Sequence, residues 1–429
     1  MRRIFFDKHQ HWEAFKRKHG AKIRPIVIKE VEKFRDCGDI KNGFKLFVCE
    51  GCHDVRKVPY RCKGRFCTTC SVGESEEWSR LLTEDVLQVN HRHVIFTIDE
   101  GLRDVFLLHR HLLKDLMDAS ARLLTDFFKK KAKVTPGIIA GLHTFGSRVN
   151  FNPHVHMLVT MGGLTEKGEW KQYDFLPFTM LRKQWQTVVL KLIRNGVSPR
   201  EKKRIQPRLQ KAFTNNGEGF YVYAPKQRGK IKEQLRYIGR YIRRPAIGIN
   251  RIEAYDGQFV TFKYKDKTDG KDKSETVSVE EFISRLIRHI PDEQFKTIRH
   301  YGMYSRRSKN LCKKVLSTWQ QKARRWVVKV KKTLRRQTWR ERIVASGKKD
   351  PLVCQRCECY YEYKGEVCLE DGKLEIKVAL CKTTRAYLER VINDLTGIKN
   401  PQKRKEKEEK YNHKPVQETE RQLCLFGVS

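Results

Sequence analysis

The stretch Asn150–Val159, NFNPHVHMLV, sets two histidines one residue apart inside a run that otherwise reads as a buried β-strand. Side chains two apart on a strand share a face, so His154 and His156 project side by side while Val155 points the other way. Two imidazoles on one face are a ready pair of metal ligands; one structural histidine beside a chance neighbour is the plainer alternative. Pro153 stands at the start of the strand, where a missing N–H is tolerated.

Working outward, HRHVIFTID (91–99), GIIAGLHTFG (137–146) and GFYVYAPK (219–226) read as further strands. Residues 103–131 read as one long amphipathic helix, stopped by a lysine run and Pro136-Gly137, and a second helix is expected at about 178–195. GINRIEAYDGQFVTFKYKD (248–266) reads as a hairpin turned at Asp256-Gly257, followed by a helix over 278–290. Strands and helices alternating in this way predict an α+β fold, a palm with a central sheet flanked by helices. If the strands carrying His143 and His154 pair antiparallel, His143 joins the histidine pair on one side. Three histidines with open coordination positions suit a catalytic divalent ion.

Downstream, EQLRYIGRYIRRPAIG (233–248) reads as a basic helix ended by Pro245. Tyr237 and Tyr241 lie one turn apart on one face of it. An ordinary apolar stripe carrying two tyrosines is the alternative. Arg236, Arg240, Arg243 and Arg244 surround them, however, where phosphates would be neutralised. A phenol is a poor nucleophile until cations or a metal-polarised phosphate assist it, so the cluster suggests tyrosine attack on a phosphodiester.

Charge points the same way. The 429 residues carry 91 Lys and Arg against 50 Asp and Glu, a net charge of +41. Such an excess implies a polyanionic partner, here nucleic acid. No apolar run reaches the roughly eighteen residues of a membrane span, and the basic N-terminus lacks the apolar core of a secretory signal. A cytoplasmic, reducing location is therefore expected.

In that setting the thirteen cysteines argue for zinc rather than disulfides. Cys49/Cys52 and Cys67/Cys70 are CxxC pairs separated by fourteen residues, the spacing of a single four-thiolate zinc site. Cys37 and Cys62 remain as candidates for a second site or for substitution in the first. Cys354 and Cys357 form another CxxC, near Cys359 and Cys368, and offer a second zinc ribbon.

These motifs, taken in order, resemble the insertion sequence 91 family of transposases, the rolling-circle, two-tyrosine type within the HUH endonuclease superfamily. The resemblance runs from about Cys37 to about residue 315 through RFCTTC, HVIFTI, LHTFG, NPHVHMLV, YIGRYIRR and EFISRLIRHIPDEQFKTIRHYGMYSRR. It implies an HUH-type palm with a central antiparallel sheet, and a nickase and strand-transferase acting on single-stranded DNA, transposon-end hairpins and target DNA. By the same resemblance, His154 and His156 hold Mg²⁺ or Mn²⁺ on the scissile phosphate, and Tyr237 and Tyr241 are paired nucleophiles forming a 5′-phosphotyrosine. His143 falls where related relaxases take a third histidine. The chain departs from the family pattern at Asn152, Arg243 and Pro245, and at Phe66 in the cysteine region.

The expected organisation is an N-terminal helix and zinc-binding domain (1–80) and a nuclease domain (81–310). A basic helical arm (311–350), a cysteine-containing module (351–395) and a charged, disordered tail (396–429) follow. Association with the nucleoid through DNA, and self-association, accord with this reading. The alternatives are a replication initiator or relaxase of the same superfamily, and a zinc-finger regulator without enzymatic activity.

Overall fold

The structure, a computed structural model, describes residues 1–225, 246–306 and 337–379, apart from 65, 88, 267, 346, 371 and 372, together with 308, 312, 386, 388–390 and 392. Tyr237, Tyr241 and the four arginines around them lie outside the described residues, as do most of the basic arm and the tail. Two units make up the chain, Met1–Val31 with Thr68–Leu334, and Glu32–Cys67 with Arg335–Ser429. The division is not the linear series of domains that the sequence suggests. Residues 1–31 group with the middle of the chain, and the C-terminal cysteine segment groups with residues 32–67.

The second unit is built on β1 (Gly43–Cys49) and β2 (Val55–Pro59), an antiparallel hairpin. In the first unit, β3 (His91–Phe96), β4 (Thr135–Phe145), β5 (Phe151–Leu164), β6 (Trp170–Gln172) and β7 (Val222–Tyr223) follow. Then come β8 (Ile252–Tyr255), β9 (Phe259–Lys265), β10 (Asp272–Ser278) and β11 (Ile298–Gly302). The chain returns to the second unit with β12 (Tyr361–Glu370) and β13 (Lys373–Ala379).

The central sheet of the first unit has the order β11-β4-β5-β3-β7, with β6 paired to the far end of β5. Every pairing in it is antiparallel, as the family resemblance implies. Both faces of β5 are buried, which explains its nearly continuous apolar character. Val155, Met157 and Val159 join one core with Leu116, Leu124 and Phe128 of the helix Leu112–Ala132 and Trp185 and Val189 of the helix Phe178–Gly196. Leu158 points oppositely, into a second cluster with Ile139, Leu82, Val86 and Met303.

The single helix expected over 103–131 is instead two, Arg103–Leu108 and Leu112–Ala132. Arg110 accounts for the break. Its guanidinium turns inward to donate to the carbonyls of Arg288 and Ile290 at 3.1 and 3.2 Å and to the Asp292 carboxylate at 3.3 Å.

The expected hairpin at 248–266 exists and gains a third strand, β10, making a separate antiparallel sheet. Val260 and Phe262 on β9 are buried, and Phe262 packs against Phe282 of the helix Val279–Ile287. In the second unit, β12 adds to β1 and β13 to β12, giving a four-stranded sheet over Phe44, Leu46 and Val367.

Candidate metal centre and cysteine clusters

The register of the two central strands decides the site. His143 on β4 stands directly opposite His154 on β5, and Gly141 opposite His156. Parity then puts all three imidazoles on one face, with no side chain on Gly141 to crowd them. Their ring centroids are 5.4 Å (His143–His154), 4.8 Å (His154–His156) and 4.3 Å (His143–His156) apart. One ring nitrogen from each falls within 4.8 Å of the others. His143 and His156 are buried, and His154 is half-buried at the open side.

A bulge sets the aim of His154. Asn152 and Pro153 together face the single residue Thr144, between the pairs His143–His154 and Phe145–Phe151. Proline fits there because the ladder asks no N–H of it. The bulge also turns the Asn152 carbonyl toward His154, whose Nδ1 donates to it at 2.7 Å. That bond fixes the tautomer and leaves the free lone pair on Nε2. Because the acceptor is main chain, the departure from the family pattern at Asn152 leaves it in place.

A fourth histidine completes the face, and it was not singled out from the sequence. His93 on β3 lies diagonal to His156, its Nε2 2.9 Å from His156 Nδ1, with the rings stacked at 5.1 Å. A signal for it existed, since HRH at 91–93 repeats the His-x-His pattern one strand away. Burial pushes His93 down to about 4. Burial first, and then the imidazoles of His143, His154 and His93, hold His156 well below the ordinary histidine range. Neutral imidazoles in close array present lone pairs, which is the form a cation requires. Three nitrogen donors with a half-open side fit a divalent ion that keeps positions for phosphate oxygens.

The cysteines divide differently from the single site expected of Cys49, Cys52, Cys67 and Cys70. Cys49 and Cys52 lie with Cys354 and Cys357, all four sulfurs within 4.8 Å of one another. Strand pairing is the cause: Cys49 ends β1 opposite Tyr361 at the start of β12, so the turns flanking those strand ends meet. Cys37 and Cys62, which the sequence left over, lie with Cys67. The sulfurs of Cys37 and Cys67 are 3.7 Å apart, and the Cys62 N–H donates to the Cys37 sulfur at 3.4 Å. Cys70 stands in the first turn of the helix Thr68–Asp85, one CxxC step beyond Cys67. Among the described residues no helix is long and apolar enough to cross a membrane.

Comparison with known proteins agrees with this partition into a cysteine region and a histidine-bearing sheet. Residues 7–98 match a family model described as "Transposase zinc-binding domain". Residues 137–312, which include all of β5 and all of β4 but its first two residues, match one described as "Putative transposase". The "Transposase for insertion sequence element IS801" of Pseudomonas savastanoi pv. phaseolicola is 28% identical over 318 residues, 70% of this chain and 75% of that one. The "Putative transposase y4qJ" of Sinorhizobium fredii is 27% identical over 318 residues, 70% of this chain and 79% of that one. No solved structure matches the chain significantly. With both domain models in the expected order and relatives spanning most of its length, the chain belongs to the insertion sequence 91 family of transposases.

Proposed function

We propose that this transposase is an HUH-type nuclease that cuts and rejoins single-stranded DNA through tyrosine attack. The observation that carries the reading is the convergence of His143, His154 and His156 on one face of the two central strands, beside a half-open edge. These three residues would hold Mg²⁺ or Mn²⁺, which when bound supplies positive charge against the scissile phosphate and polarises its P–O bonds.

The chain's own residues do the rest. The phenolic oxygen of Tyr237 or Tyr241 attacks phosphorus in line and gives up its proton to solvent. The P–O3′ bond breaks as the new P–O(Tyr) bond forms, and the departing 3′ oxygen takes up a proton. The 5′ end stays on the enzyme as a phosphotyrosine, which conserves the energy of the phosphodiester, so rejoining needs no nucleotide cofactor. Two tyrosines let donor and target strands be held at once. Arg236, Arg240, Arg243 and Arg244 neutralise the flanking phosphates, in keeping with a net charge of +41.

In the cysteine region, Cys37, Cys62 and Cys67 supply three thiolates toward a structural zinc.

The test is a denaturing gel. Labelled single-stranded oligonucleotides carrying each end of the mobile element are incubated with the protein in Mg²⁺, in Mn²⁺ or in EDTA. A metal-dependent covalent adduct on one end is expected, absent from the Tyr237→Phe/Tyr241→Phe double variant and from His154→Ala. Binding without an adduct under every condition would overturn the nuclease reading in favour of a regulator. Adduct formation without recombination of marked ends would favour a replication initiator or relaxase.

A further inference from the structure

We infer that a structural zinc is held by Cys49 and Cys52 together with Cys354 and Cys357, so that the cysteine domain at the N-terminal end of the chain is completed by a segment from its other end. The matched zinc-binding model stops at residue 98 and therefore contains only half of these ligands.

Sulfur positions are the first ground. Cys49 Sγ lies 3.3 Å from Cys357 Sγ, and Cys52 Sγ 3.5 Å from Cys354 Sγ. Sulfurs about 2.3 Å from a tetrahedral zinc sit roughly 3.8 Å apart, whereas a disulfide needs about 2.05 Å. All four sulfurs lie within 4.8 Å of one another, compatible with the tetrahedral value.

Turn geometry is the second and independent ground, because the two CxxC turns are copies of one another. The Cys49 N–H donates to the Asp54 carbonyl at 2.9 Å, and the Cys354 N–H to the Cys359 carbonyl at 2.8 Å. The Cys49 carbonyl accepts from the His53 N–H at 3.1 Å, and the Cys354 carbonyl from the Glu358 N–H at 3.0 Å. His53 and Glu358, each just after the second cysteine of its turn, both take left-handed backbone, with φ of 57° and 61°. Left-handed backbone is uncommon outside glycine, so repeating it at matched positions marks a shared requirement. The Arg356 N–H also donates to the Cys354 sulfur at 3.4 Å, as suits a thiolate. Two such turns facing each other make up the four-thiolate form of a zinc ribbon.

The fit is close on its outer side too. A Cβ on Gly51 would meet the Cys359 sulfur at 2.5 Å and the Cys357 sulfur at 3.1 Å, so only glycine lets the two turns approach. Cys359 is exposed and lies outside the set of four, as an internal control.

The experiment uses the full-length, zinc-loaded protein, pulsed with a maleimide and mapped by peptide mass spectrometry. Cys52, Cys357 and Cys359 are all exposed, so burial alone would shield none of the three from the reagent. The expected result is fast labelling of Cys359 with Cys49, Cys52, Cys354 and Cys357 protected. On chelation those four lose protection in a single kinetic phase. Labelling of Cys354 and Cys357 at the rate of Cys359 while zinc is retained would overturn the inference, as would separate phases for the two pairs.

Zinc counting by elemental analysis adds a second arm. Cys354→Ser/Cys357→Ser and Cys49→Ser/Cys52→Ser should each lose one equivalent, and all four changes together should lose that same one. Cys359→Ser should lose none. An unchanged count in the Cys354→Ser/Cys357→Ser variant, or two equivalents lost from the fourfold variant, would sink the idea. Should a variant fail to fold, the labelling kinetics of the unaltered protein decide alone.

Discussion

His93 Nε2 and His156 Nδ1 lie 2.9 Å apart across adjacent strands, two buried imidazoles sharing one proton. Only one arrangement frees His156 for a metal: its Nδ1–H donates to His93, and its Nε2 keeps the lone pair. His93 must then carry its own proton on Nδ1. On the proposed metal reading, His93 is thus a positioning residue that sets the tautomer of His156 without itself contacting the ion. We predict that His93→Ala raises the metal concentration for half-maximal nicking about 10- to 100-fold, while activity at saturating Mn²⁺ recovers most of its value. A metal titration of the nicking rate checks this. Equal loss at every metal concentration would mean that His93 only supports the fold.

Asn152 makes the opposite prediction. Its contribution to His154 is a backbone carbonyl, so Asn152→Ala should leave nicking and metal dependence within about 2-fold of the unaltered chain. Replacing Pro153 by alanine tests the bulge itself, since it restores an N–H that could pull the strand into regular pairing. A shifted metal titration for Pro153→Ala, with an unchanged one for Asn152→Ala, is the expected pattern.

Trp185 ties a helix to the rear of the site. Fully buried, it donates from Nε1 to the Thr97 carbonyl at 2.7 Å and meets Phe96 edge-on at 4.9 Å. Trp185→Phe keeps most of the packing and strands that carbonyl, at a cost of about 1–3 kcal/mol. Trp185→Ala adds a cavity and should reach about 3–5 kcal/mol. Denaturant unfolding of both variants measures the difference.

His91 gives the fold a pH dependence. The Leu87 N–H donates to the Tyr304 hydroxyl, which donates to His91 Nε2, and His91 Nδ1 donates to the Val89 carbonyl. This chain is complete with a neutral imidazole, and a second proton on His91 would face the Tyr304 O–H. Burial accordingly brings His91 down to about 4 from an ordinary value of 6.5. With the folded value depressed, stability is fully present above about pH 6.5 and falls as pH drops toward 4, by up to about 3 kcal/mol from this residue. Unfolding curves between pH 7 and 4 for the unaltered protein and His91→Asn check it; the variant's dependence should be shallower.

The parts of the fold that were legible in the sequence are those governed by local pattern. The apolar run around His154 and His156 marked β5, and antiparallel pairing with β4 then brought His143 to the same face. Local pattern does not carry the interior demands of distant groups. Nothing near Arg110 announces that its acceptors lie at Arg288–Asp292, so the helix break there was invisible. The strand expected over 219–226 shrinks to two residues, because β3 offers pairing only for Val222 and Tyr223. β10 was missed because its residues are mostly exposed and polar, with no apolar face to reveal a period. The cysteine partners were misjoined for a related reason. Spacing tells which thiols form a turn, but the partner of each turn is chosen by strand pairing between segments about 300 positions apart.

That pairing also imposes an order of events during synthesis. β1 has β2 beside it almost at once, but its other edge waits for β12, whose Tyr361 lies 307 positions beyond Asp54. At about 5–20 residues per second, a ribosome needs roughly 15–60 s to supply it. Throughout that interval a hairpin carrying Phe44 and Leu46 has one edge open and half of its sheet missing. A copy of the gene truncated or frameshifted before codon 361 would never close that edge. The sheet thus makes the second unit a check on translation as far as β12: only a chain that has reached Val367 can bury Phe44 beneath it.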